Sequence, residues 1–398
     1  MVFPFRSVED FKIDITPEHE LFRQAVREFV EKNVMPRWRE IEETNRIPQE
    51  IMRALAEQGL TGVGIPEQYG GQGGGQLMTV LAMEEIARAS PALAVAIGVN
   101  HLFSIPILLF GSEDLKKRYV TPIARGEKRG AHANTEPSGG SDVAGIQSQA
   151  RKENDHYIIN GRKVFISGAG EADFLIVSAR TSPPQPGKRW WGITTFVVER
   201  DWPGVKIGQQ FRVIGMRGEQ PYEVVLDNVK VPAENVVGKE NEGFKVVVTT
   251  YDYTRIGIAA QAVGIAQAAF EKALNYALQR EVFGQRLAEF EMITEKLADM
   301  YIRLEASRLL TYWAASLADA GRKEFVMAAS LAKTFATESA EWIARQAVQI
   351  HGGYGVDFET GLERYLRDAI ITTIYEGTNE IQRLTIVREL IRQVFGVR

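Results

Sequence analysis

Near the end of the chain, in TIYEGTNEIQ (residues 373–382), Ile374 and Tyr375 lead directly into Glu376, and Gly377 follows. A carboxylate kept dry between apolar side chains holds its proton to higher pH than one in water. It can then serve as a base matched to a weakly acidic proton. A glycine beside it leaves room for a reactant. The same segment also reads as a solvated acid at a helix start, with Thr378 or Asn379 as N-cap and the helix dipole favouring the charge.

Other chemistries are thinly represented. The chain has no cysteine, which removes disulfides, thiolate nucleophiles, iron–sulfur clusters and cysteine zinc sites together. Its histidines, His19, His101, His132, His156 and His351, include no pair at metal-ligand spacing, and no metal site is expected. YGGQGGGQ at 69–76 resembles a nucleotide loop but places Gln76 where the last glycine of GxGxxG belongs, and no Walker pattern occurs. A net charge of −4 and a pI near 5.9 leave no basic footprint for nucleic acid and no polybasic membrane patch. No apolar run reaches the ~18 residues expected of a membrane span. The opening residues mix acids and bases and read as neither signal nor transit peptide, so a cytoplasmic location is expected.

The elements that must position Glu376 follow from periodicity. At 398 residues, 45% apolar and 25% charged, the chain has the size and composition of a multidomain globular protein. Residues 1–129 read as helical. Thr16 and Pro17 supply an N-cap and first position, Leu21, Ala25 and Phe29 keep helical spacing, Gly59 ends a second helix, and Pro91 stops a third. Residues 130–241 read as β. HYIINGRKVFIS reads as two strands joined by an Asn160-Gly161 hairpin, and DFLIVSAR, GITTFVVER and YEVVLDNVKVP add more, so a barrel or sandwich is expected. Residues 242–398 read as long helices with short links, an antiparallel four-helix bundle. The fold class is mainly α with a central β domain.

Three separated motifs then converge. ANTEPSGGSDVAGI opens the β segment, QREVFGQ follows the first bundle helix, and QIHGGYG with IYEGTNEIQR closes the chain. In this order, and over nearly the whole chain, they closely resemble the acyl-CoA dehydrogenase family. The resemblance implies FAD bound between the β domain and the bundle, with an acyl-CoA thioester against the flavin. It implies removal of the Cα proton and transfer of a Cβ hydride to flavin N5, giving a trans-2-enoyl-CoA.

Glu376 matches the family's base, whose backbone N–H and a flavin ribityl hydroxyl hold the thioester oxygen in an oxyanion-hole arrangement. Some relatives carry the base just before the arginine of the first bundle helix. That place is Thr254 here, before Arg255, which favours Glu376. The resemblance implies that His132, Asn134, Thr135, Gly140 and Ser141 run past the flavin. It puts Phe165, Ile166 and Ser167 on the far face, where many relatives have tryptophan at the place of Phe165. Arg280, with Phe283 packed on it and Phe290 nearby, would meet the FAD pyrophosphate of a neighbouring subunit. Gln349, Ile350, Gly352 and Gly353 would contact FAD across the same interface, and Thr378 and Glu380 would turn towards the flavin. Ser141, Asp252, Arg255, Tyr375 and Gly377 would meet the acyl-CoA, with Leu102 and Phe103 as further candidates for the pocket wall. In isolation these residues read as a surface turn, a helix-surface arginine, a helix-ending glycine pair and a surface ion pair.

A cofactor site shared between chains implies a homo-oligomer, a tetramer built as a dimer of dimers, with electron-transfer flavoprotein as acceptor. Glu291 stands where the family usually has glutamine, Thr294 where a polar amide is common, and MRGEQPYEV lacks the usual serine or threonine. FAD contacts at those places are expected to differ. Two other functions stay open: an acyl-CoA oxidase or other flavoenzyme of this fold using oxygen, and a non-catalytic assembly protein that keeps the fold alone.

Overall fold

The computed structural model describes Phe5 and residues 7–396. Helix α1 (Pro17–Asn33) starts behind Thr16, and α2 (Trp38–Thr44), α3 (Gln49–Glu57), α4 (Gly75–Ala89) and α5 (Pro91–Phe110) follow. Pro91 does more than stop α4. It opens α5, where a missing N–H costs nothing, and Ser90 caps the turn by accepting from the Leu93 N–H at 3.4 Å. The expectation that nothing is apolar enough to span a bilayer needs correction on length and composition. Helix α5 has a mean hydropathy of 2.0, but 61% of that window is buried inside the protein. Short helices α6 (Glu113–Leu115) and α7 (Thr121–Ala124) complete the first segment.

The middle segment is a mixed sheet of β1 (Gly130–Ala133), β2 (Gln149–Glu153), β3 (His156–Ser167), β4 (Phe174–Arg180), β5 (Ile193–Glu199), β6 (Val205–Gln210), β7 (Pro221–Pro232) and β8 (Val236–Val237). The strands run in the order β6-β7-β3-β2-β4-β5-β8, with β1 added parallel to β4. The Asn160-Gly161 hairpin does not form. Strand β3 runs straight through it, and the register shifts against β7, which carries the extra residue at 227–228. Asn160 and Asn228 lock that bulge, with the Asn228 N–H on Asn160 Oδ1 at 2.8 Å. Strand β4 is apolar on both faces for a reason. Leu175 and Val177 pack inside the sheet, while Ile176 faces the other way, against Phe103 and Tyr119 of the helical side.

The last segment holds α8 (Gly243–Gln279), a small hairpin of β9 (Glu281–Val282) and β10 (Gln285–Arg286), and α9 (Glu291–Asp319), α10 (Phe325–His351), α11 (Glu363–Thr372) and α12 (Asn379–Phe395). Helices α8, α9, α10 and α12 form the bundle. Its core does not stop at the bundle. Leu55, Val80 and Ile86 of the first segment belong to the same buried cluster as Val263, Leu304 and Ile343. A Cβ on Gly264 would overlap the Glu84 carbonyl, so α8 and α4 meet backbone to backbone. Beside that seam, buried Glu84 accepts from Arg308 at 3.0 Å and Tyr312 at 2.6 Å, and Glu85 from Arg23 at 2.9 Å. Removing one partner of such a buried pair typically costs about 3–5 kcal/mol, because the other charge is stranded.

Candidate active site

Between α11 and α12 the chain turns sharply. Glu376 has φ 53° and Gly377 φ 91°, and only the second is cheap there. The strained turn is held by its carbonyls. Gln382 Nε2 donates to the oxygens of Glu376 at 3.2 Å and Gly377 at 2.9 Å, and Lys333 Nζ donates to Gly377 at 3.0 Å. Thr378 then caps α12, accepting from the Ile381 N–H at 3.4 Å. With both carbonyls occupied, the Glu376 N–H has no hydrogen-bond partner among the described residues.

The side chain of Glu376 points at α8, where Thr254 donates its hydroxyl hydrogen to Oε2. Burial pushes the carboxyl up to about 7, opposed by the Thr254 hydroxyl, the Arg255 guanidinium and the Lys333 ammonium. It keeps partial solvent exposure because it lines a cleft. Arg255 is buried and fully engaged, on Ser330 at 2.9 Å, Gln382 Oε1 at 3.0 Å and Asp252 at 3.2 Å. Asp252 and Arg255 are therefore a buried pair, not a surface one, and burial pushes Asp252 up to about 6. Tyr375 donates to Gln261 Oε1, and Gln261 in turn donates to the Pro91 carbonyl at 2.8 Å, so Tyr375 ties the turn to α8 and α5.

The cleft that Glu376 lines is narrow and runs between α4, α5 and α8. Its walls include Met83, Gly98, His101, Ser104 and Ile258. The expected wall residues Leu102 and Phe103 do not line it. Phe103 is fully buried and stacks on Phe174, because helical spacing turns His101, Ser104 and Ile105 towards the cleft instead. His101 is held neutral, with burial pushing it down to about 4 and Nε2 on the Val63 carbonyl at 3.0 Å.

On the sheet side, His132 and Asn134 sit at the end of β1. His132 Nδ1 meets the Leu102 carbonyl at 3.2 Å, its ring lies 5.5 Å from that of Tyr251, and its Nε2 is buried without a partner. Asn134 Oδ1 is likewise buried and unpartnered. Buried polar atoms are seldom left so, and two together fit the hydrogen-bonding edge of a bound group. Underneath, buried Lys163 ties the loop, donating to Glu136 at 2.8 Å and to the Asn134 carbonyl at 3.2 Å. Thr135 and Gly140 lie side by side, and Ser141 is exposed on the same loop. Phe165 has φ 57°, is 56% exposed and stacks on Phe211 at 4.3 Å, leaving a flat aromatic face open beside buried Ile166 and half-buried Ser167. These residues fit a planar ring system such as a flavin.

A second cleft gathers Arg280, Ile350, Gly352 and Gly353 with Tyr276 and His351, whose rings stack at 4.2 Å. Gln349 is exposed just outside it. Phe283 does not pack on Arg280. It is 97% exposed on the β9–β10 turn, with Phe290 at 6.3 Å as its ring neighbour. Glu380 is exposed in the first turn of α12. The departures also have contacts of their own. Thr294 bonds to the carbonyls of Ala288 and Phe290 at 3.0 and 3.2 Å, and Glu291 opens α9 on the surface. In the 217–223 loop, Glu219 pairs with Arg129 at 2.8 Å and Gln220 bonds Asn45 at 2.8 Å.

Family models for the acyl-CoA dehydrogenase N-terminal, middle and C-terminal domains match residues 16–127, 131–229 and 241–391. The chain belongs to the acyl-CoA dehydrogenase family. Within it, an acyl-CoA dehydrogenase of Bacillus subtilis (strain 168) is 43% identical over 381 residues, 95% of this chain and 99% of that one. Butyryl-CoA dehydrogenase from Megasphaera elsdenii superposes with a TM-score of 0.92 at 39% identity, covering 96% of this chain and 100% of that one. A chain solved in work on the electron transferring flavoprotein of Acidaminococcus fermentans also gives 0.92, at 37% identity over 96% of this chain and 100% of that one.

Sequence reasoning missed Lys333, Gln382 and the bond from Thr254 to Glu376. One signal was present for Lys333: a lone lysine on the alanine-rich stretch AASLAKTFA of α10.

Proposed function

We propose that the protein is an FAD-dependent acyl-CoA dehydrogenase in which Glu376 removes the Cα proton of the thioester. The observation that carries this reading is the Glu376 turn: a carboxyl raised to about 7 beside its own unpartnered N–H, at the mouth of an apolar cleft. A base at that value is about half ionised at neutral pH and retains proton affinity. The free N–H is placed to donate to the thioester oxygen as negative charge develops on it, the kind of contact worth about 10²–10³ in rate. The acyl chain would lie between α5 and α8, away from water.

Bound FAD would supply the acceptor for the Cβ hydride. His132, Asn134, Thr135 and Phe165 would hold its ring end, and Arg280, Gly352 and Gly353 would meet the pyrophosphate of a second copy. The outer bundle supports that oligomer, exposing Tyr301, Ile302 and Leu309 on α9 and Leu384, Val387 and Ile391 on α12. We place the assembly as a tetramer, a dimer of dimers, with electron-transfer flavoprotein as acceptor.

Anaerobic titration of the flavoprotein with straight and branched acyl-CoAs of increasing length tests the reading. Bleaching of the flavin band is expected, and its absence with every acyl-CoA would overturn the substrate class. Peroxide release at turnover rates in air would instead favour an oxidase.

A further inference from the structure

We propose that Lys333 is a positioning residue for the base: its ammonium, bonded to the Gly377 carbonyl, sets a positive charge one peptide from the Glu376 carboxylate and so favours the ionised form that meets the substrate. This rests on the reading of Glu376 as the base.

Lys333 projects from α10 with no solvent exposure. Its Nζ donates to the Gly377 carbonyl at 3.0 Å and to Asn379 Oδ1 at 2.9 Å, and among the described residues it forms no ion pair. Both acceptors are neutral. A buried ammonium without a paired carboxylate is expensive, and a tie to the Gly377 oxygen alone does not require one. Gln382 already supplies a neutral donor to that oxygen at 2.9 Å. What the lysine adds is positive charge one peptide from the base.

The surrounding charges are otherwise occupied. Asp252 of α8 pairs with Arg255 at 3.2 Å, Glu338 of α10 with Arg383 of α12 at 2.7 Å, and Glu380 points to solvent. Tyr251 and Tyr375 also face Glu376, and burial holds both phenols protonated. Burial pushes Lys333 down to about 7, with Glu376 pulling it back up and Arg255 pushing it further down. The two groups support each other's charge: ionised Glu376 holds the proton on Lys333, and charged Lys333 favours ionised Glu376.

The test is the rate of flavin bleaching by a saturating acyl-CoA across about pH 5.5–9, on flavin-loaded enzyme carrying Lys333→Met or Asn379→Asp. With Lys333→Met the acid limb should move up by about one pH unit, a roughly tenfold loss at pH 6 that recovers at pH 9. Asn379→Asp keeps the lysine but gives it a direct counter-charge, and should move the limb the same way by less. A purely structural lysine would lower the rate equally at every pH. An unchanged limb, or a uniform loss, in folded Lys333→Met overturns the proposal. If that variant does not fold, an unchanged limb in Asn379→Asp does so. Retained bleaching in Glu376→Gln would instead remove the base assignment itself, whatever Lys333 does.

Discussion

Thr254 donates its hydroxyl hydrogen to Oε2 of Glu376, although 122 positions separate the two. That hydroxyl favours the ionised carboxylate, so it opposes the burial that raises Glu376. Thr254→Val keeps the shape and removes the donor. The acid limb of kcat/KM, expected near pH 7 in the parent, should move upward, lowering activity at pH 6 several-fold and sparing it at pH 9. A pH–rate profile of the two enzymes checks this.

Glu376→Gln should retain flavin and acyl-CoA binding while losing bleaching by about 10²–10⁴-fold, the usual worth of a positioned general base. Stopped-flow reduction at saturating acyl-CoA measures it. The size of the loss separates a base from a helix-start acid, which could be replaced at little cost.

The same substitution should stabilise the protein in alkali. Glu376 is raised in the folded state above its ordinary 4.5, so its contribution is fully favourable below about pH 4.5 and is lost as pH rises through about 7. At pH 8 the parent carries a poorly solvated charge that glutamine removes. Glu376→Gln should gain about 1–2 kcal/mol there, a discounted value because the group is partly exposed, and nothing at pH 4. Thermal melts of the substrate-free holoenzyme at the two pH values decide it.

Gly98 lines the cleft beside Glu376, and a Cβ there would stand 3.6 Å from Met83 Cε, in ordinary contact. Anything larger fills the space between α5 and α4. Gly98→Leu should therefore cut kcat/KM for the longer acyl-CoAs by tenfold or more and leave the shortest nearly unchanged. A chain-length series compares the variants directly.

The helices were legible because their caps and apolar spacing are local: Thr16, Gly59 and Thr378 each mark an end that the structure keeps. Asn160-Gly161 misled because neither residue takes the positive φ that such a turn needs; the left-handed residue is Asn228 (φ 54°) on the partner strand β7. What the glycine serves instead is close packing: a Cβ on Gly161 would collide with Ser148, just before β2. Glu376 was legible from its motif, but its strained φ is held by Lys333 and Gln382, and its pKa is raised by burial that Thr254 and Lys333 oppose, all through the packing of α8, α10 and α12. No spacing along the chain announces such contacts. The packing of Phe283 on Arg280 failed for another reason, since the side chain stands out on the β9–β10 turn, 97% exposed.

The close seam between α4 and α8 has a consequence for how such a gene can be rearranged. The two helical segments cannot be parted without exposing their common interior, so they behave as one body interrupted by a cassette. That cassette enters on β1 and leaves on β8, which are separated only by β4 and β5, about 14 Å at ordinary strand spacing. Recombination between relatives at these two joints would exchange His132, Asn134 and Phe165 as a unit and leave the cleft at Glu376 intact. A crossover inside either helical segment would instead pair surfaces that never adapted to one another.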